Sequence, residues 1–374
     1  MHLASLWLTD FRCYETVDLR FPPGVTVVCG ANAQGKTSLL EAVGWAATGK
    51  SFRGVPDAAL VRTDAPAAIL RAEVVDGERT QLLEAEIKAQ GRNRVQLNRH
   101  PLQRARDLLE LMRITVFAPD DLQLVKGGPA GRRDYLDDLL VAISPRYDAA
   151  RGDYERVLKQ RNALLKGGAR GDDGLSTLDV FDLQLAAAGA ELVRGRRKLL
   201  ARLVPEVSRA YEQLAGTAPA GTSDLVTAAY EAEWIPAGTG DTDLGEVLLG
   251  ALTDRRRNEL DRGVTLVGPH RDEWHLMIGG LESRTHASQG EQRSLALALR
   301  LGGHRLTTEL TGSAPVLLLD DVFSELDERR AVALVEHLDR GQTLVSTAGA
   351  VPHGIVSDTT LRVDAGTVTE VAGP

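Results

Sequence analysis

Leu6 and Leu8, then Val17, Leu19 and Phe21, alternate with polar residues, so the chain opens with two half-buried strands. Pro22-Pro23-Gly24 marks a turn. Val25-Thr26-Val27-Val28-Cys29 is a short apolar run of β-branched type, expected for a strand covered on both faces. A loop from Gly30 to Gly35 follows, then a helix expected from Lys36 to Ala47. Residues 69–100 read as further strands, with turns at Asp76-Gly77 and Gln90-Gly91. Between residues 131 and 214 the apolar positions change to helical spacing: Tyr135, Leu136, Leu139 and Leu140, then Tyr154, Val157 and Leu158, then Leu192, Leu199, Leu200 and Leu203. Glycine-rich stretches at 167–174 and 216–223 are expected to be connectors, and they interrupt the helical pattern too soon for a long coiled coil. Strand chemistry resumes near Val264, and Val316 to Leu319 and Thr343 to Val345 have the composition of buried parallel strands.

At 374 residues the chain can bury roughly three quarters of its unfolded surface. Its length suits two or three domains, or one large domain with an elaboration. No apolar run is long enough to span a membrane, and Met1-His2-Leu3-Ala4-Ser5 lacks the layout of a secretion signal. Cys13 and Cys29, the only two cysteines, both fall in strand-like apolar surroundings. They offer neither a disulfide framework nor zinc spacing, so a reducing cytoplasm is the expected location. The net charge of −8 excludes a protein that coats nucleic acid by bulk attraction. Any DNA contact must come from local basic patches. Lys88, Arg92, Arg94, Arg99, Arg104 and Arg106 form one, with no acid between Lys88 and Arg106. A solvated hairpin surface would account for it equally well.

The chemistry lies at the two ends. Gly30-Ala31-Asn32-Ala33-Gln34-Gly35-Lys36-Thr37 is a phosphate cradle: its glycines let the backbone wrap an anion, and its amides donate to phosphate oxygens. Lys36 adds a point charge, the Thr37 hydroxyl can ligate Mg²⁺, and the helix start aims its positive end at the same place. The residues expected to bind ATP are Gly30, Asn32, Gly35, Lys36, Thr37 and Ser38. Val316 to Leu319 ends in Asp320-Asp321, which suits a carboxylate holding the Mg²⁺ shell (Asp320) and a second one polarising the attacking water (Asp321). Ser288-Gln289-Gly290-Glu291 is a capping box before a helix at 292–301. Its place ahead of the metal-binding strand is that of the signature of an ATP-binding-cassette head, which meets a nucleotide held by another head. Ser324-Glu325-Leu326-Asp327 reads as a second capping box, and in that arrangement Ser324 and Asp327 belong to the D-loop. Thr347 stands at the switch position, where most such heads carry His.

These motifs resemble the RecF family of bacterial recombination-mediator ATPases along essentially the whole chain. The resemblance is carried by Phe11-Arg12-Cys13-Tyr14, the phosphate cradle with Leu39-Leu40-Glu41-Ala42, and Gly49-Lys50-Ser51-Phe52-Arg53. Lys126-Gly127-Gly128-Pro129 with Arg132-Arg133, Lys159-Gln160-Arg161-Asn162, Val267-Gly268-Pro269-His270-Arg271-Asp272 and the two C-terminal motifs complete it. It implies an α/β fold: an ABC-ATPase head with an inserted, mainly helical second lobe. Residues 1–118 and 261–374 would form the first lobe and 119–260 the second. It also implies ATP and Mg²⁺ as cofactors, an ATP-dependent homodimer, slow hydrolysis, and binding to duplex, gapped or junction DNA. The partners it implies are RecR and RecO, in the loading of RecA. Arg92, Arg94, Arg99, Arg132 and Arg133 are the expected DNA contacts, with Arg194, Arg196 and Arg197 as the next surface. The signature here reads Ser-Gln-Gly-Glu rather than Ser-Gly-Gly-Gln, and Asp321 stands where most cassette heads have Glu; both also occur in RecF. The competing readings are a transporter's energy-coupling subunit, a chromosome-maintenance head, or a small-molecule kinase.

Overall fold

The opening alternation becomes β1 (His2–Phe11) and β2 (Tyr14–Arg20), paired antiparallel with Leu6 opposite Leu19 and Leu8 opposite Val17. In the computed structural model, residues 1–102, 107–167, 172–215, 225–338, 341–349, 351 and 354–371 are described. The strands that follow are β3 (Val25–Cys29), β4 (Ala67–Asp76), β5 (Arg79–Lys88), β6 (Arg94–Leu97), β7 (His100–Pro101) and β8 (Ile114–Phe117), then β9 (Val226–Glu231), β10 (Glu273–Ile278) and β11 (Leu281–Glu282). Near the C-terminus come β12 (Val316–Asp320), β13 (Thr343–Thr347), β14 (Thr359–Asp364) and β15 (Thr367–Val371).

The chain divides into two compact units: Met1–Asp121 with Ala210–Ala218 and Leu297–Pro374, and Leu122–Arg209 with Pro219–Ala296. The first unit holds two sheets. One is antiparallel, in the order β2-β1-β4-β5-β6-β7, and the other runs β15-β14-β3-β13-β12-β8. In the second sheet β14, β3, β13, β12 and β8 pair in parallel, and β15 is antiparallel. β12 and β13 are buried at every position, as continuous apolar strands covered on both faces must be. The helix Lys36–Thr48 packs Leu39, Leu40, Val43 and Trp45 into one core with Leu6, Leu8, Leu70, Leu318 and Leu344. The second unit pairs the sheet β11-β10-β9 with helices at Pro129–Ile143, Arg146–Lys166 and Leu244–Arg262 and with most of Asp172–Ala215. Its core gathers Tyr154, Val157, Leu185, Val193, Leu244, Leu248 and Leu252.

Three expectations about local structure change. The connector at 167–174 is already helical from Asp172, at the start of a 44-residue helix; residues 168–171 and 216–224 lie outside the described set. That helix passes through Pro205, which forfeits one backbone hydrogen bond, while the buried Leu203 and Val207 hold the helix on either side. Strand structure resumes at Val226 with β9, earlier than the expected Val264, and returns only at Glu273 with β10, the polar groups of 264–272 between them being engaged in side-chain hydrogen bonds. Cys13 is exposed in the β1–β2 turn rather than enclosed in a strand.

Candidate nucleotide site

The cradle leaves β3 at Gly30 and enters its helix at Lys36. Gly30 (φ 154°) and Gly35 (φ 122°) adopt backbone angles that side chains disfavour, and there is no room for one. A Cβ on Gly30 would lie 2.3 Å from the Val363 carbonyl oxygen, and one on Gly35 would lie 2.7 Å from Cys13 Sγ. Ala31, Asn32 and Ala33 are exposed, and no side chain caps the helix start, so the loop and the first helical amides face outward as an anion site requires. Lys36 Nζ donates to the Ala31 carbonyl at 2.8 Å, lying back across the loop. Gln34 ties the loop to the β14–β15 turn: its Oε1 accepts from the Ala365 amide at 2.6 Å and its carbonyl from the Gly366 amide at 3.3 Å.

Asp320 comes to the cradle across 283 residues of sequence. The Thr37 hydroxyl donates to Asp320 Oδ1 at 2.8 Å, and Ser346 Oγ donates to the same oxygen at 2.8 Å. Burial pushes the Asp320 carboxyl above its ordinary value, and the hydrogen bonds from Ser346 and Thr37 and the nearby Arg53 oppose that rise. Asp321 follows in the left-handed region (φ 51°), half-buried, with its amide donating to Ser346 Oγ at 3.0 Å. A hydroxyl and a carboxylate in contact are hard oxygen donors that suit Mg²⁺. Among the described residues no group of three or more His, Cys, Asp or Glu could hold a metal, so phosphate oxygens and water would have to complete its shell.

Ser324 Oγ donates to the Asp321 carbonyl at 2.7 Å, which corrects its reading as a capping box: Asp327 is the cap, accepting from the Arg330 amide at 2.9 Å. Thr347, at the end of β13, is 7% exposed, and its hydroxyl accepts from the Gly349 amide at 3.2 Å. In the second unit the capping box at Ser288 is formed as read. The Ser288 amide donates to Glu291 Oε2 at 2.7 Å and the Glu291 amide to Ser288 Oγ at 3.3 Å. Ser288, Gln289 and Glu291 are exposed and Gly290 half-buried at the head of the helix Gln289–Thr311.

The arginines separate into two groups. Arg92, Arg94 and Arg99 are exposed, Arg94 on β6 and Arg99 in the β6–β7 turn; Arg104 and Arg106 lie outside the described residues. Arg132 is not available for DNA. It is 4% exposed and forked onto Glu273 at 3.0 and 2.9 Å, with the Gly127 carbonyl at 2.9 Å. Arg133 is half-buried and donates to the Asp272 carbonyl at 2.8 Å. Arg196 is likewise turned inward, onto Asp137 at 2.7 Å with both nitrogens and onto the Pro269 carbonyl at 2.7 Å.

Sequence reasoning missed Glu41, Arg53 and Ser346. Glu41 is a fully buried residue of the cradle helix, held by Arg12 at 2.8 and 2.9 Å and by Ser51. The signals for it were present, since Arg12, Glu41 and Ser51 all fall in motifs of the RecF resemblance. Nothing local marks Ser346; only the pairing of β12 with β13 puts it opposite Asp320.

The family model described as "RecF/RecN/SMC N terminal domain" matches residues 2–350. A curated protein of Streptomyces avermitilis, "DNA replication and repair protein RecF", is 48% identical over 99% of this chain and 100% of its own length. One of the same description from Frankia alni is 46% identical over 93% of each. This chain belongs to the RecF family. A solved structure of "the recombination mediator protein RecF-ATP in RecFOR pathway" superposes with a TM-score of 0.90 at 30% identity, covering 99% of this chain and 98% of that one. The chain thus has the ABC-ATPase-like α/β fold of RecF. An Smc head bound to the winged-helix domain of ScpA, at 16% identity and a TM-score of 0.58, shares the fold alone. No helix among the described residues is long and apolar enough to cross a membrane.

Proposed function

We propose that this RecF-family chain is an ATP-gated DNA-binding protein of recombinational repair and replication-fork maintenance. It binds ATP with Mg²⁺ at Gly30, Asn32, Gly35, Lys36, Thr37 and Ser38, with Asp320 in the metal shell and Asp321 polarising the water. Ser288, Gln289, Gly290 and Glu291 of a second copy complete the site, with Ser324 and Asp327 at the seam and Thr347 as the switch. Hydrolysis is slow, the output is a dimer clamped on DNA, and RecR and RecO work with it to load RecA at gaps in the cytoplasm. The observation that supports this reading best is the Thr37–Asp320 hydrogen bond, which joins a glycine-built phosphate loop to a buried carboxylate on the neighbouring strands. For DNA, Arg92, Arg94 and Arg99 remain the proposed contacts, and Arg133 is a weaker one.

The test is molar mass by light scattering with and without ATP and Mg²⁺, alongside binding to duplex, single-stranded and gapped DNA with ATP, ADP or no nucleotide. ATP should produce a dimer and tighten binding to DNA; a monomer at micromolar protein with ATP present would sink the clamp. Replacing Arg92, Arg94 and Arg99 together with alanine should flatten the slope of log affinity against log salt by about 0.9 for each phosphate no longer neutralised, with dimerisation intact.

A further inference from the structure

Ser346 sits on β13 directly opposite Asp320 of β12 and is 0% exposed, so no water can replace its partners. Its hydroxyl has one proton to give. The Asp321 partner is an amide N–H at 3.0 Å, which can only donate. The proton of Ser346 therefore goes to Asp320 Oδ1 at 2.8 Å, and its lone pair receives the Asp321 amide. One buried hydroxyl thus holds both acids, each by a different group: Asp320 by its carboxylate and Asp321 by its backbone.

The two contacts do different work. Asp320 Oδ1 also takes the Thr37 hydroxyl at 2.8 Å, so Ser346 and Thr37 hold the same carboxylate oxygen. Asp321 stands at φ 51°, a left-handed conformation that a residue with a side chain disfavours and that persists only where neighbours impose it. The Ser346 hydroxyl supplies that constraint at the residue where the chain leaves β12. Thr347 follows Ser346 on the same strand, so a displacement at Thr347 reaches both acids through a single side chain.

We infer that Ser346 is a positioning residue of the nucleotide site, which aligns Asp320 with Thr37 and fixes the backbone of Asp321, so that turnover of bound ATP and the affinity that Mg²⁺ adds depend on it while metal-free binding of ATP does not. This rests on the ATPase reading above. The experiment compares Ser346→Ala, Ser346→Cys and Ser346→Thr in the full chain. Affinity for a fluorescent ATP analogue is measured with Mg²⁺ and with EDTA, and hydrolysis is followed in single turnover at saturating ATP. Ser346→Ala should bind the analogue in EDTA within about twofold of the parent, lose most of the gain in affinity that Mg²⁺ gives, and hydrolyse about ten- to a hundredfold more slowly, the range for loss of a hydrogen bond that orients a metal-ligating group. Ser346→Thr keeps the hydroxyl on a β-branched side chain suited to a strand and should restore both. Ser346→Cys fills the space with a poor donor and should behave as alanine does, which keeps the comparison usable should the alanine variant not fold. Parental hydrolysis and a parental Mg²⁺ gain in Ser346→Ala, or a threonine variant as impaired as the alanine one, would overturn the inference. Should the parent prove unable to hydrolyse ATP, the enzymatic reading fails on its own, and the Mg²⁺-dependent gain in affinity then decides the role of Ser346.

Discussion

The loop from Gly30 to Gly35 and the loop from Thr265 to Asp272 are both polar, glycine-bearing connections marked by the RecF resemblance, and their polar atoms point in opposite directions. In the first, Ala31, Asn32 and Ala33 are exposed and the helix start carries no side-chain cap. In the second, the groups are consumed inside the second unit. Thr265 Oγ1 donates to Asn162 at 2.7 Å and accepts from Arg161 at 2.9 Å. His270 Nδ1 meets the Tyr154 hydroxyl at 2.6 Å, and Asp272 accepts from Tyr230 at 2.6 Å and Trp234 at 2.8 Å. Gly268 is required because a Cβ there would lie 2.6 Å from the Tyr154 oxygen. A motif can therefore mean a site held open for a ligand or a set of buried groups that satisfy one another. Burial separates the two, because a polar atom at the surface has water to fall back on and a buried one has only its partner.

The largest effect should come from breaking the closed set. Arg161, fully buried, faces Asp182 at 2.6 Å and Glu259 at 2.7 Å, both fully buried as well. Arg161→Leu leaves Glu259 without its cation and Asp182 with Arg256 alone, at 2.7 Å, and should cost about 3–5 kcal/mol of unfolding free energy, read from urea denaturation. A loss below about 1 kcal/mol would mean that the network is not what holds the second unit.

Breaking the open loop should do the reverse. Lys36→Met removes the phosphate-facing charge and should weaken ATP binding about a hundredfold, the equivalent of about 2.7 kcal/mol, with the unfolding midpoint of the nucleotide-free protein unchanged. A variant that bound ATP normally, or that unfolded early, would place Lys36 with the architectural residues.

A smaller, pH-dependent effect sharpens the contrast. Burial pushes His270 down to about 4 from its ordinary 6.5, so the folded ring is neutral while the unfolded chain takes up a proton below about 6.5. Stability from this group is complete above that pH and is lost as pH falls toward about 4, with a slope of at most about 1.4 kcal/mol per unit. His270→Gln should flatten the fall of the urea midpoint between pH 6.5 and 4.5 relative to the parent. Parallel curves for the two proteins would show that His270 does not carry it.

By itself the sequence determined whatever depends on a few neighbouring residues. The alternation of β1 and β2, the buried runs of β3, β12 and β13, the glycines of the cradle and the Ser288–Glu291 box all follow from local backbone geometry and side-chain period. The tertiary structure alone decided which distant groups meet and which charges face water. Thr37 reaches Asp320 only because β3, β13 and β12 lie side by side in parallel, and Ser346 becomes the partner of both acids through one register of two strands. Arg132 and Arg94 look alike in the sequence, and only the elements packed around Arg132 make one a buried partner of Glu273 and leave the other exposed. Register and burial are set by contacts between residues hundreds of positions apart, and no local window of sequence contains them.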